Sequence, residues 1–124
     1  MVATFSELRA LPGMDDTLLT AGCPTRVVLD HVTSRWGVLV VLSLTNGTHR
    51  WSELRRAVDG ISEKMLASTL RQLQADGLVD RVAHPVIPPH VEYSLTSRGE
   101  ELAGVLLPLV EWSARHSAEI LASA

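Results

Sequence analysis

Cysteine is nearly absent: Cys23 is the only one among 124 residues. That excludes an internal disulfide framework and a cysteine-rich zinc site, and a reducing cytoplasm fits best. No stretch approaches the roughly 18–20 apolar residues of a membrane span. The opening MVATFSELRALPGMDD has no basic start followed by a long apolar run, so no signal peptide is expected. Catalytic signatures are missing too. There is no G-x-S-x-G, no P-loop and no G-x-G-x-x-G. His31, His49, His84, His90 and His116 show no metal-ligand spacing with carboxylates. An enzyme, a cofactor and a bound metal are therefore not expected. Internal repeats and low-complexity tracts are also absent.

What is there suits one soluble domain. Hydrophobic residues make up 46% of the chain and charged residues 20%, enough apolar material for a core without a staple. The formal net charge of -3 counts against a protein that coats nucleic acid by bulk charge. It leaves room for a small basic face, and the charge is unevenly placed. Arg50, Arg55, Arg56, Lys64, Arg71 and Arg81 fall within about a quarter of the chain, whereas the C-terminal third is acidic.

Residues 1–21 read as an N-terminal arm in which Pro12-Gly13 breaks a short helical FSELRAL. Residues 22–124 read as the domain. Cys23-Pro24 opens the first secure helix, because proline suits the first helical position. RWGVLVVLSL, from about Arg35 to Leu44, is apolar almost all round and reads as the central core helix. Ser52 is the expected N-cap of a short helix from Glu53 to Val58, with Leu54 and Val58 inward. After the Asp59-Gly60 turn, Ser62 caps a helix over about Glu63–Ala75, and Gly77 ends it. Strands are expected at about 78–83 and 90–95, around the tip HPVIPPH, where three prolines must lie outside central pairing. Thr96 then caps a long helix over about 97–121 that Pro108 should bend or break. The fold class is mainly α with a small antiparallel β-hairpin: a winged helix-turn-helix with N- and C-terminal dimerisation helices.

At 3.6 residues per turn, Leu66, Leu70 and Leu73 share one face of the helix after Ser62, and Lys64, Ser68 and Arg71 share the other. The outer face is either a plain solvated surface or a surface for the DNA major groove. In a groove, Lys64 and Arg71 reach guanine acceptors or phosphates, Ser68 contacts either, and the amides near Ser62 hold a phosphate. His84 and His90 flank the stiffened wing tip. His90 is either a phosphate contact when protonated or an ordinary exposed loop residue.

CPTRVVLDHVTSRWGVLVVLSL, RWSELRRAVDGISEKMLASTLRQLQADGLVDR and VIPPHVEYSLTSRGEEL resemble the HxlR-type winged-helix transcriptional regulators of bacteria, over about residues 22–113. Cys23-Pro24, Trp36, Ser52-x-Leu54, Ile61-Ser62, Gly77-Leu78-Val79, Pro88-Pro89 and Tyr93-x-Leu95-Thr96 carry the likeness. It implies a dimeric DNA-binding protein that regulates nearby genes, with Arg50, Ser52, Lys64, Ser68 and Arg71 at DNA-facing positions. Two positions depart from the family: His90 stands where arginine or lysine is usual, and Trp51 where phenylalanine is usual.

On the last helix, Leu102, Val105, Leu106, Leu107, Leu109, Val110, Trp112, Ile120 and Leu121 cover over half the wheel. A single core needs a stripe of only about 100°. The surplus points to a homodimer built with Val28, Leu106, Leu109, Val110 and Trp112, acting on a palindromic DNA operator. Cys23 sits at a helix N-terminus with Arg26 one turn in, which favours thiolate. The resemblance adds that some family members sense quinones, aldehydes or oxidants with a cysteine here. Cys23 is then a redox or electrophile switch, or else a small packed residue in a regulator that answers another small-molecule effector. The rival to DNA binding is a winged-helix module for protein partners.

Overall fold

A computed structural model describes residues 4–8 and 22–122. Most of the expected arm, residues 1–21, thus lies outside the described residues. The chain divides into two compact units, Met1–Ser34 and Arg35–Ala124.

In the first unit, α1 (Phe5–Leu8) is a single turn closed by a reciprocal cap. The Glu7 amide donates to Thr4 Oγ1, and the Thr4 amide donates to Glu7 Oε2, both at 3.2 Å. Helix α2 (Pro24–Val32) takes Cys23 as its N-cap residue and Pro24 at its first position. It stops at Thr33, whose amide and hydroxyl both donate to the Leu29 carbonyl, at 3.0 and 2.7 Å.

In the second unit, α3 (Arg35–Leu44) is the core helix. Val40, Val41 and Leu44 are buried on it, and it packs against α5 (Glu63–Ala75) and α6 (Ser97–Ala122). Leu54 of α4 (Trp51–Ala57), and Leu66, Leu70 and Leu73 of α5, complete the centre. Gly60, at φ +84°, makes the turn between α4 and α5, the helix-turn-helix step.

The α5 terminus follows from its sequence. Ser62 Oγ accepts from the Met65 amide at 3.0 Å. At the other end the Leu78 amide donates to the Leu73 carbonyl at 2.9 Å and the Gly77 amide to Gln74 at 3.0 Å, with Gly77 at φ +73°. This is a complete Schellman stop, and buried Leu78 and Leu73 supply its apolar contact.

The sheet is antiparallel, in order β1–β3–β2, from β1 (His49–Arg50), β2 (Val79–His84) and β3 (His90–Leu95). Three outcomes differ from the sequence expectations. Strand β1 was not anticipated. Its pairing, His49 with Tyr93 and Arg50 with Glu92, holds Arg50 extended. Arg50, not Ser52, therefore stands at the N-cap of α4, and its amide donates to Glu53 Oε1 at 2.8 Å. Strand β2 extends to His84, which brings that residue into the ladder opposite His90. Of the two effects expected of Pro108, a break does not occur: α6 runs on to Ala122, close to the expected end of the helix. The carbonyl that proline leaves without a donor belongs to exposed Gly104, where water can bond it. Among the described residues no single helix is long and apolar enough to cross a membrane.

Two glycines of α6 should respond oppositely to alanine. A methyl group on Gly99 would collide with the Leu78 carbonyl oxygen, whereas one on Gly104 meets nothing within 4 Å. Gly99→Ala is expected to lose about 1–3 kcal/mol. Gly104→Ala is expected to gain up to about 1 kcal/mol from helix propensity. Urea denaturation midpoints of the two variants measure both.

Candidate nucleic-acid interface

The α5 helix is anchored by three leucines on its inner side, so its outer side is free of core duties. Lys64, Ser68 and Arg71 are all exposed there, beside half-buried Ala67. The small Ala67 and Ser68 side chains allow close backbone approach to a partner. Ser62 is exposed but committed to the Met65 amide as a cap, so its hydroxyl already serves the helix. Arg55 of α4 meets Glu63 at 3.1 Å across the turn, with the two side chains 40% and 73% exposed. An ion pair this open to water adds little stability; it ties the two helix ends together.

Ser52 is exposed in the first turn of α4. Arg50, also exposed, is the ladder partner of Glu92, so it shares that residue's sheet face. The opposite sheet face carries buried Tyr93. Arg50 and the α5 cations thus come from different elements of the same unit.

The wing holds a group that linear spacing hid. His84 and His90 are opposite each other in the β2–β3 ladder, and their rings stack with centroids 4.5 Å apart. His90 Nε2 lies 3.1 Å from Glu92 Oε1, and His84 Nε2 lies 3.4 Å from the same oxygen. The hydrogen bond with His90 holds the Glu92 carboxyl below the usual carboxylate range, against an opposing push from burial. His90 is half-buried and engaged with Glu92, not a free cation at the tip. The signal available in the sequence was weak: two histidines equidistant from a proline-rich turn, and a glutamate two residues past the second.

The apolar surplus divides between two roles. Leu106, expected at a dimer surface, is buried at 4% exposure in the chain's own core, beside buried Ala103. Val28 of α2, and Leu109 and Trp112 of α6, are about half exposed, and Val110 is half-buried. Val105 and Leu121, at 68% and 73%, add to the outward α6 surface. The Trp112 ring stacks on His116 at 4.7 Å. Helix α2 buries none of its residues, yet Cys23 just before it is buried at 7% exposure. An open cleft of about 480 Å³ lies at the end of α3, with Leu44, Leu95, Ala103 and Leu107 in its wall.

Known proteins share this arrangement. A family described as HxlR-like helix-turn-helix matches residues 31–120. The uncharacterized HTH-type transcriptional regulator YtfH of Escherichia coli K12 is 51% identical over 108 residues, covering 87% of this chain and 86% of that one. The solved structure of a putative transcriptional regulator, YtfH from Salmonella typhimurium, superposes with a TM-score of 0.80 at 51% identity, over 86% of this chain and 95% of that chain. The redox regulator HypR in its reduced form gives 0.73 at 35% identity, over 82% and 99%. With a winged helix-turn-helix core, an exposed basic α5 face and these relatives, the chain belongs to the HxlR-like helix-turn-helix family of transcriptional regulators, which are DNA-binding proteins and not enzymes.

Proposed function

We propose that this regulator acts as a homodimer on a palindromic DNA operator, with α5 in the major groove and the wing on the flanking backbone. The exposed Lys64–Ser68–Arg71 face, on a helix whose other side is wholly occupied by core leucines, carries the reading. Lys64 and Arg71 read guanine edges or phosphates, Ser68 and Ser52 contact backbone or base, and Arg50 and His90 approach from the sheet side. Two-fold symmetry sets the two α5 helices about 34 Å apart, one turn of DNA. The half-exposed Leu109 and Trp112 of α6 and Val28 of α2 supply the apolar surface for pairing.

Cys23 is the proposed switch, in a reducing cytoplasm where a single thiol stays reduced until an oxidant or electrophile reaches it. Its place at the N-terminus of α2 supports this, as does the similarity to the redox regulator HypR. Its burial means that an adduct or disulfide does not fit without moving the start of α2, and the exposed face of that helix includes Val28. Modification would thereby disturb pairing and release DNA. The open cleft beside α3 favours a second reading, in which a small-molecule effector binds there and Cys23 only packs.

Three measurements check these assignments. Arg71→Ala should weaken operator binding by about 1–3 kcal/mol if Arg71 reads a base; unchanged affinity in a gel shift removes it from the interface. Sedimentation should show the wild-type chain as a dimer and the double variant Leu109→Asp/Trp112→Asp as a monomer, because each new charge would be desolvated on pairing; a dimeric variant places the interface elsewhere. A quinone or diamide should release wild-type protein from its operator and leave Cys23→Ser bound. Release of both assigns the signal to another group, and release of neither favours the effector cleft.

A further inference from the structure

The wing carries a cluster whose convergence a DNA contact by His90 does not account for. His84 and His90 are direct ladder partners, so their side chains leave one face of the sheet. Glu92 lies two residues beyond His90 and leaves the same face. Ligand atoms of the three residues all lie within 4.8 Å of one another. Both Nε2 atoms converge on one oxygen, Glu92 Oε1, at 3.4 Å from His84 and 3.1 Å from His90. Zinc bonds of about 2.0–2.1 Å to nitrogen and oxygen set tetrahedral ligand atoms about 3.3 Å apart. The two histidine–glutamate separations already fit that spacing.

Protein contacts alone leave the cluster incompletely satisfied. His84 Nε2 is shielded from solvent, and its one polar neighbour, Glu92 Oε1 at 3.4 Å, is already shared with His90 and leaves it without a well-formed hydrogen bond. Shielded polar atoms without partners are rare in folded proteins. One cation in the space shared by the two nitrogens and the carboxylate oxygen would satisfy all three. The ladder and the ring stacking hold the imidazoles in place beforehand, which lowers the ordering cost of binding.

We propose that His84, His90 and Glu92 form a binding site for a divalent transition metal in the wing. Zn²⁺ suits two neutral imidazoles and one carboxylate, with a fourth position left for water or another oxygen donor. The ion ties the ends of β2 and β3 together beside the proline-rich tip. It also reverses the local charge. With neutral imidazoles the cluster carries the single negative charge of Glu92, and the bound ion makes it net positive. Glu92 is the ladder partner of Arg50, so the reversal occurs next to a proposed DNA contact. This last consequence rests on the proposed function; metal binding itself does not.

The test is calorimetric titration of Zn²⁺ into untagged full-length protein without DNA, in a Cys23→Ser background that removes the thiolate as a competing ligand. One equivalent should bind per chain. His84→Ala and His90→Ala should each weaken binding at least about tenfold, while His49→Ala leaves it unchanged. Circular dichroism checks that the variants fold, and His90→Gln provides a milder second substitution. Absence of stoichiometric binding overturns the proposal, as does binding that survives His84→Ala and His90→Ala together. Because no DNA is present, a missing metal site and a missing operator are separate results. Where zinc binds, a gel shift should show tighter operator binding by wild type and no response from His84→Ala; unchanged wild-type affinity overturns the charge-reversal role alone.

Discussion

Thr96 joins the parts of this protein that must keep a fixed relation. Its hydroxyl donates to the Gly77 carbonyl at 2.6 Å and accepts from the Gly99 amide at 3.0 Å. Its own amide donates to the Leu78 carbonyl at 3.1 Å. One residue thus ties the end of α5, the entry to β2 and the first turn of α6. The recognition helix, the wing and the helix with the outward apolar face all take their directions from this junction. Two glycines make it possible. Gly77 adopts the left-handed conformation that closes α5, and Gly99 lets α6 approach the Leu78 carbonyl more closely than any side chain would permit.

The net charge of the chain says little about its interface. An acidic body carries a local basic face because α5 sorts its residues by helical period: leucines in, Lys64 and Arg71 out. The wing has a different character. The position where the family usually has a cation holds His90, and that imidazole is engaged by Glu92 of its own strand. The wing therefore lacks the permanent positive charge that arginine or lysine would give at this position.

Helix α6 serves two surfaces at once. Ala103 and Leu106 point into the core, while Val105, Leu109, Trp112 and Leu121 remain in water within a single chain. A helix this long can do both because the residues near its start are fixed by the Thr96 junction and by α3. Pro108 sits between the two regimes without ending the helix, since the bond it removes is on the exposed side.

Much of the fold was readable because its determinants are local. The α3 limits, the Ser62 cap, the Gly77 stop and the leucine stripe of α5 each depend on residues within one or two turns, and the structure has them where periodicity and capping placed them. The start of α4 was misread for a non-local reason. A two-residue strand has no pattern of its own, and only pairing with β3 holds Arg50 at the cap. The same reason hid the wing cluster, because register decides which residues of two strands meet, and one residue more of β2 set His84 against His90. The division of α6 followed suit: an apolar wheel announces surplus surface but not that Leu106 faces inward while Leu109 and Trp112 face out. The sequence by itself determined the order of the main helices, the cap and stop of α5 and the family, through contacts a few residues apart. Tertiary structure alone decided which strands pair, which leucines the core takes up and which imidazoles meet a carboxylate, because those depend on distances between segments that only packing brings together.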